Sequence, residues 1–170
     1  DIESYLEIGV GFGVNIDILL QNFKNIKKVF YIDIVPNLFI GTEYLKKKYG
    51  SAVKDYNEIK KKDLISFENN NNLEIICIPP WKMENISSKV DTFHNSASFQ
   101  EMTKDQVINY RRILKKILKK ESISLIFYKG WEKNNTLSPS AVNEIFDNKL
   151  KFQEFNNLDQ KNSELVYLIS

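Results

Sequence analysis

The strand, glycine turn and helix at the start of the chain constrain its fold more than any other segment. An apolar strand, Ser4–Ile8, is followed by a helical stretch that begins near Asn15. Between them glycine occupies every second position, at Gly9, Gly11 and Gly13. Glycine adopts positive φ at little cost, and without a side chain it lets backbone amides approach a ligand closely. This order of elements therefore predicts a ligand cradle at the tip of a buried strand.

Size and composition favour one globular domain over residues 1–170. Hydrophobic residues make up 42% of the chain, which is enough for a packed core and excludes a disordered chain. The 24 basic and 22 acidic residues nearly balance. Because nucleic-acid binding requires a concentrated basic surface, we do not expect a nucleic acid as the partner. The sequence leaves the oligomeric state open.

A cytoplasmic protein without a bound metal is expected. No apolar stretch approaches the length of a membrane span, and no signal peptide is visible. The chain has one histidine and one cysteine, too few for a zinc site of the usual composition. The cysteine, Cys77, lies in an apolar run and is expected to be a small core residue. Since the chain begins at Asp1, directly before the first strand and without a methionine, we also expect an upstream segment.

Strand and helix patterns alternate along the chain, which is typical of a parallel sheet with helices on both faces. After the first strand, further parallel strands are predicted at residues 28–33, 73–78, 90–95 and 123–129. Helices are predicted at residues 15–22, 36–49, 103–120 and 138–148.

Three segments have less regular patterns. Residues 51–73, rich in lysine and asparagine, are predicted to form a solvated loop with a short strand near residues 64–67. Segments 151–155 and 165–169 are predicted to be a pair of antiparallel strands. The sequence thus predicts an α/β fold whose sheet is mostly parallel and ends in an antiparallel strand pair.

Ligands of open α/β sheets bind at the carboxyl ends of the strands, and polar residues of this chain concentrate there. Asp33 ends the second predicted strand, twenty residues after Gly13. A carboxylate in that place can accept hydrogen bonds from both ribose hydroxyls of a nucleoside. The alternative is that Asp33 caps the helix that begins near Pro36.

The segment after the fourth predicted strand carries a dense group of hydrogen-bonding side chains: Asn95, Ser96, Ser98, Gln100 and Glu101. Its position predicts that these groups lie at the mouth of the pocket. Glu101 precedes the Thr103 helix cap and is either a general base or a carboxylate favoured by the helix dipole. His94, inside the strand, is either a second candidate base or a buried imidazole satisfied by its neighbours.

Other strand ends carry acidic, aromatic and basic residues. Glu7 can pair with an ammonium group of a ligand, or accept backbone amides of the glycine turn. Trp81, after two prolines, can stack on an adenine or pack beneath a loop. Lys129 and Trp131 follow the fifth predicted strand and can touch a sugar or a cofactor, unless Trp131 is a packing anchor.

The glycine spacing distinguishes two kinds of nucleotide site. The dinucleotide fingerprint places its third glycine three positions after the second, and Val14 occupies that position here. Glycines at positions 9, 11 and 13, after the acidic Glu7, resemble instead the first motif of class I methyltransferases. These are Rossmann-like enzymes that use S-adenosylmethionine, so the resemblance implies that fold and that cofactor.

Three further stretches make the resemblance more specific: Asp33-Ile34-Val35-Pro36 with Tyr44-Leu45, Asn95–Met102 and Tyr128-Lys129-Gly130-Trp131. With residues 6–13 they make the chain similar to the sugar O-methyltransferase family, bacterial enzymes encoded with polysaccharide biosynthesis genes. The run Ser98–Met102 is the most specific of them. The chain departs from the family in lacking its amino-terminal part and in carrying Val10 and Val14 in the glycine turn.

The resemblance implies transfer of a methyl group from S-adenosylmethionine to a sugar hydroxyl of a small molecule or glycan, without a metal. It places the cofactor against Glu7, Gly9, Gly11, Gly13, Asp33, Ile34, Trp81 and Asn95. It places the acceptor against Ser96, Ser98, Gln100, Lys129 and Trp131. Glu101 or His94 would receive the proton of the acceptor hydroxyl.

Two other functions stay open from the sequence alone. One is a non-catalytic scaffold that keeps the methyltransferase fold. The other is a nicotinamide-dependent oxidoreductase, although the glycine spacing argues against it.

Overall fold

The computed structural model describes residues 2–129, 137–155 and 163–169, in which strands and helices alternate. The strands are β1 (Ser4–Ile8), β2 (Lys28–Ile32), β3 (Val53–Lys54), β4 (Glu74–Ile78), β5 (Val90–Ser96), β6 (Leu118–Lys129), β7 (Lys151–Phe155) and β8 (Ser163–Ile169). The helices are α1 (Val14–Asn22), α2 (Val35–Tyr49), α3 (Tyr56–Ile59), α4 (Lys104–Ile117) and α5 (Pro139–Ile145).

One sheet of eight strands organises these elements in the order β3-β4-β2-β1-β5-β6-β8-β7. The six strands from β3 to β6 pair in parallel. Strand β8 is antiparallel to both β6 and β7. The chain fills one side of β1 first and then continues on the other side with β5. Such a reversal of strand order leaves a crevice between the carboxyl ends of the two strands.

Helices cover both faces of the sheet, because side chains of a strand alternate between its two sides. Val29 and Tyr31 of β2 belong to the core beneath α1 and α2, whereas Phe30 and Ile32 belong to the core beneath α4 and α5. The parallel strands are therefore apolar on both faces, as expected for a buried parallel sheet. This architecture confirms the predicted α/β fold with a parallel sheet between helices. Among the described helices, none is long and apolar enough to cross a membrane.

The prediction of a loop over residues 51–73 was partly wrong. The segment contains β3, which pairs with β4 at the edge of the sheet, and the short helix α3. Asp55 and Glu58 cap that helix reciprocally, since each side chain accepts a hydrogen bond from the other residue's backbone amide. The predicted strand near residues 64–67 is a single bridge between Ile65 and Ile86. These elements were not predicted, because they are only two and four residues long and lie in a lysine-rich segment.

The boundary between α4 and β6 also differs from the prediction. The helix ends at Ile117 rather than near residue 120, and β6 begins at Leu118 rather than near residue 123. Leu118 pairs with Val90 in the parallel ladder, and the Lys119 ammonium lies 2.6 Å from an Asp91 carboxylate oxygen. Contacts with a distant strand therefore convert the last predicted helical turn into a strand.

A buried carboxylate joins α1 to α2. Asp17 of α1 accepts hydrogen bonds from the hydroxyls of Tyr44, at 2.6 Å, and Tyr49, at 2.7 Å. The Lys48 ammonium lies 2.8 Å from the same carboxylate. The Lys48 contact, followed by the Tyr44 hydrogen bond, holds the pKa of Asp17 well below its usual range. The helix that follows the glycine turn is thereby fixed against the helix that follows Asp33.

We expect Asp17→Asn to lower the free energy of unfolding at neutral pH by about 1–3 kcal/mol, because charged hydrogen bonds of a buried group are lost. A carboxylate whose pKa is depressed in the folded state stabilises fully above its unfolded pKa of about 4. Its contribution is lost as the pH falls towards the folded pKa, so the two stabilities should converge below about pH 4. Urea unfolding followed by circular dichroism at several pH values measures this.

Asp63→Asn is the control for that experiment, because Asp63 is exposed to solvent. It should leave the unfolding free energy within about 0.5 kcal/mol of wild type. A constant difference between Asp17→Asn and wild type across the acidic range would refute the role assigned to Asp17.

Candidate functional site

A cleft of about 390 Å³ opens at the carboxyl ends of β1, β2 and β5, where the strand order reverses. The segments after these strands and the start of α4 supply its lining: Ile8, Gly9, Gly11, Asp33, Ile34, Asn37, Pro80, Ser96, Ala97, Ser98, Glu101, Met102, Gln106 and Tyr110. Four residues predicted for the cofactor and two predicted for the acceptor thus face one cleft: Gly9, Gly11, Asp33 and Ile34, and Ser96 and Ser98. The segments that form it are far apart in the sequence and are brought together by the sheet.

The glycine turn lies on the floor of this cleft. Its first amide, of Gly9, donates to the carbonyl of Ile32 at 2.9 Å, which ties the turn to β2. Gly11 has a φ of 65°, and no described atom would lie within 4 Å of a Cβ added there. Its backbone therefore faces the open cleft. Gly9 is different, because an added Cβ would lie 2.4 Å from the Cβ of Ser98.

Asp33 faces the glycine turn from the tip of β2. One of its oxygens accepts the Gly11 amide at 2.6 Å, and the other accepts the Ile34 amide at 2.7 Å. The carboxylate is 5% exposed, and burial raises its pKa while the two amides oppose that shift. A carboxylate oxygen can accept more than one hydrogen bond, so Asp33 retains capacity for a ligand in the cleft.

Tyr31 holds the same turn from below, a contact that no local sequence pattern indicates. Its hydroxyl lies 2.6 Å from the carbonyl oxygen of Gly11 and 2.8 Å from that of Asn37. The hydroxyl fits because residue 41 is glycine, where an added Cβ would lie 2.1 Å from it. Tyr31 in β2 therefore holds the carbonyl of Gly11, and Asp33 at the tip of the same strand holds its amide.

The segment after β5 forms the opposite wall. Asn95 is fully buried; its amide donates to the Ile8 carbonyl at 2.8 Å, and its side-chain oxygen accepts the Phe99 amide at 3.0 Å. Asn95 thus shapes the wall rather than lining the cleft. Ser98 lines it, although its hydroxyl lies 3.2 Å from the Ile8 carbonyl. Ala97 has a φ of 61°, a conformation that alanine rarely adopts.

Glu7 and His94 lie in a separate, largely buried cluster beneath α1. The Asn15 amide donates to both Glu7 oxygens at 2.9 Å, and the Tyr5 hydroxyl donates to one of them at 2.9 Å. His94 Nδ1 lies 3.0 Å from the other. Neither Glu7 nor His94 lines the cleft. This placement matches the alternative of an imidazole satisfied by its neighbours, and Asp33 rather than Glu7 accepts an amide of the glycine turn.

Other predicted site residues lie away from the cleft. Trp81 is 60% exposed and lines a neighbouring cleft, so it is neither beside Asp33 nor packed beneath a loop. Gln100 is buried and does not line the cleft. Lys129 ends β6, but its side chain and the whole of Trp131 lie outside what the structure describes. The roles predicted for Lys129 and Trp131 stay predictions.

Helix α4 contributes lining residues that the sequence did not single out. Gln106 and Tyr110 face the cleft from this helix, and Met102 faces it from the segment just before the helix. The ring of Tyr110 stacks on Phe99, with centroids 6.0 Å apart. Burial, with a further contribution from the charge of Asp33, raises the pKa of Tyr110. The capping box at Thr103 and Gln106 places this part of the helix and was readable in the sequence.

Within the residues that the structure describes, no group of three or more histidine, cysteine, aspartate or glutamate side chains could hold a metal ion.

Comparison with known proteins relates the chain to methyltransferases through its fold. No family model matches the sequence. No curated protein matches it either. Solved structures do match, including the mitomycin 7-O-methyltransferase MmcR, with a TM-score of 0.63 at 12% identity over 99% of this chain and 49% of that one. PigF with SAH has a TM-score of 0.65 at 9% identity, over 99% of this chain and 50% of PigF.

A third structure matches over most of its own length. It is an S-adenosylmethionine-dependent methyltransferase from Clostridium acetobutylicum, with a TM-score of 0.61 at 10% identity, covering 100% of this chain and 85% of that one. The chain has the fold of class I methyltransferases. It spans about half the length of MmcR and PigF.

We expect Tyr31→Phe to loosen the Gly11 peptide, because the variant lacks the hydroxyl that contacts two carbonyl oxygens. The free energy of unfolding should fall by about 1 kcal/mol, and hydrogen exchange of the Gly11 amide should become faster. Tyr128→Phe is the matched control, since the buried Tyr128 hydroxyl has no hydrogen-bond partner among the described residues. Unchanged Gly11 exchange in Tyr31→Phe would show that Asp33 holds the turn without Tyr31.

Proposed function

We propose that this chain is one S-adenosylmethionine-binding domain of a methyltransferase that transfers a methyl group to a sugar hydroxyl. The observation that carries this proposal is the shared cleft. One of its walls combines an open glycine backbone with a buried carboxylate, and the other presents hydroxyl groups and a carboxylate. The first wall suits a nucleoside cofactor, and the second suits a polar acceptor.

The residues present fit S-adenosylmethionine. Gly11 offers backbone next to open space, where the amino acid part of the cofactor can lie without meeting a side chain. Asp33 lies beside it as the acceptor for ribose hydroxyls. Ile34, 59% exposed, and Pro80 supply apolar surface for the adenine ring. Gly9 and Gly13 complete the turn. Glu7 accepts a hydrogen bond from the side-chain amide of Asn15, in the helix that follows the turn.

The acceptor wall supports a hydroxylated acceptor. Ser96, Ser98 and Glu101 line the cleft, so this wall presents two hydroxyls and a carboxylate. A sugar presents several hydroxyls that such groups can orient, which a flat apolar acceptor would not use. The likeness to sugar O-methyltransferases in residues 95–102 adds to this argument. We propose a glycan precursor of bacterial surface polysaccharide as the biological acceptor.

Glu101 is the residue proposed to receive the proton. S-adenosylmethionine supplies an electrophilic methyl group on a sulfonium, so the chain's own residues need to align the acceptor hydroxyl and remove its proton. The acceptor oxygen forms a bond to the methyl carbon as the carbon–sulfur bond breaks. The proton of the hydroxyl passes to the Glu101 carboxylate, which is exposed at the mouth of the cleft. His94 is too enclosed by Glu7 and Asn15 to serve the same cleft.

We expect S-adenosylhomocysteine to bind in calorimetric titration, and Gly11→Val to abolish that binding by filling the open space. Gly50→Val is the matched control, because Gly50 also has a positive φ of 56° and no described atom within 4 Å of an added Cβ. A side chain strains the backbone at both positions because φ is positive at each, but Gly50 does not line the cleft. Equal loss of binding in both, or wild-type binding in Gly11→Val, would contradict the cradle.

Asp33→Ala should weaken the same binding by about 1–3 kcal/mol, as for a buried charged hydrogen-bond partner. Asp63→Ala, an exposed carboxylate elsewhere, should leave it unchanged. NAD(H) titrated under the same conditions tests the oxidoreductase alternative. Binding of NAD(H) without S-adenosylhomocysteine would favour it, and binding of neither would favour a scaffold.

We expect Glu101→Gln to lower the rate of methyl transfer about 10²–10⁴-fold while the affinity for S-adenosylhomocysteine stays unchanged. The measurement is the release of S-adenosylhomocysteine with free sugars, nucleotide sugars and phenols as acceptors. Asp105→Asn is the control, since Asp105 is an exposed carboxylate of the same segment that does not line the cleft. Turnover with phenols alone would overturn the sugar assignment, and full activity of Glu101→Gln would remove Glu101 as the base.

A further inference from the structure

A second cleft, of about 290 Å³, lies beside the first. Helix α2 contributes Val35, Phe39 and Glu43, which are spaced four residues apart and therefore share one face of the helix. The start of α3 and the segment after β4 supply the other walls: Asp55, Tyr56, Asn57, Pro79 and Trp81. We call this the Trp81 cleft. None of these residues is used by the function proposed above.

Aromatic rings form the walls of the Trp81 cleft. Phe39 is 68% exposed and Trp81 is 60% exposed, although both are large apolar side chains. The rings of Tyr56 and Trp81 meet at an interplanar angle of 85°, with centroids 6.4 Å apart. Phe39, Tyr56 and Trp81 therefore contribute three aromatic side chains to the lining of one small space. Exposed aromatic surface in a concave position is typical of a ligand site.

Two carboxylates line the Trp81 cleft, those of Glu43 and Asp55, and among the described residues its lining includes no lysine or arginine. Lys46 lies 2.5 Å from an Asp55 oxygen, and that hydrogen bond raises the lysine pKa. Attraction to the charges of Glu43 and Glu58 raises that pKa further. Glu43 makes no hydrogen bond or ion pair among the described residues and lines the cleft directly. The Trp81 cleft therefore combines aromatic side chains with the carboxylate of Glu43, which no ammonium group of the described residues pairs with.

We propose that the Trp81 cleft binds a small molecule that carries a quaternary ammonium group. Aromatic faces attract a cation through their quadrupole, and a nearby carboxylate adds to that attraction. An anionic ligand such as a nucleotide would be repelled by Glu43, and a neutral group would gain apolar contact alone, without the attraction of the rings and the carboxylate for a cation. The cleft is a small concave space rather than an extended surface, which suits a free small molecule.

Titration calorimetry with choline tests this proposal, with 3,3-dimethylbutan-1-ol as the neutral molecule of the same shape. We expect saturable binding of choline and at least about ten-fold weaker binding of the neutral analogue, because the cation–π attraction is lost. Equal binding of the two would overturn the proposal, since shape and apolar contact would then explain it. The absence of saturable binding at millimolar choline would overturn it as well.

Single-residue variants test whether choline binds in the Trp81 cleft. Trp81→Ala should weaken choline binding at least about ten-fold, and Glu43→Gln about two- to five-fold. Phe23→Ala is the control, because Phe23 is 53% exposed and does not line this cleft. Choline affinity that is unchanged in Trp81→Ala would contradict the assignment. Circular dichroism shows that each variant is folded before it is titrated.

Fluorescence gives a second, independent measurement. The chain has two tryptophans, so Trp131→Phe leaves Trp81 as the sole source of tryptophan fluorescence. Choline should then change the emission with the midpoint found by calorimetry, and 3,3-dimethylbutan-1-ol should not. A peptide with trimethyl-lysine that bound about ten-fold more tightly than choline would assign the cleft to a protein partner and overturn the small-molecule proposal. Because S-adenosylhomocysteine binding is measured separately, failure here leaves the proposed function untouched, and the reverse also holds.

Discussion

The hydrogen bond between the Gly11 amide and the Asp33 carboxylate is the contact on which the candidate site depends. It joins the tip of β1 to the tip of β2 and fixes the direction in which the glycine backbone faces. The Tyr31 hydroxyl holds the carbonyl of the same residue, so a buried strand determines both polar groups of Gly11. A turn that is ordered in this way before a ligand arrives loses less conformational entropy on binding.

Two carboxylates that hold α1 in place extend this arrangement, Glu7 of β1 and Asp17 of the helix itself. Glu7 accepts the Asn15 amide close to the first turn of the helix, and Asp17 binds two tyrosines of α2 half a turn later. The helix therefore cannot rotate about its axis without breaking hydrogen bonds to charged groups, which are stronger than neutral ones. The glycine turn is thus supported by β2 on one side and by a fixed helix on the other. Both supports are polar contacts inside an apolar core, where unpaired groups are costly.

Local sequence patterns were enough to predict much of the fold. The alternation of apolar strands with helices fixes the parallel sheet, and the strand–glycine–helix order places Gly11 beside Asp33. Contacts between distant residues were not readable in the same way. Tyr31 reaches Gly11 because residue 41 is glycine, and nothing local in either segment indicates this. The β6 strand begins early because Leu118 pairs with Val90, which overrides a helical pattern.

The candidate site shows the same difference between what local patterns predict and what contacts between distant residues decide. Asp33, Ser96, Ser98 and Glu101 line the cleft as the strand ends predict. Trp81 does not, because the 3₁₀ helix that contains it turns the indole towards α2 and α3. Glu7 and His94 face one another across paired strands, and their side chains therefore satisfy each other beneath α1. The sequence names residues near a strand end, but the side on which each one emerges depends on register and packing.

The close approach of Gly9 to Ser98 has a consequence for how such a site can vary among related sequences. The half of the cleft proposed for the nucleoside comes from β1 and β2, and the half proposed for the acceptor comes from the segment after β5, so most positions in the two halves can change separately. At this one place they cannot, because the space a methyl group at position 9 would need is already filled by the side chain of residue 98. Positions 9 and 98 should therefore covary: an alanine at the first should occur only with a glycine at the second.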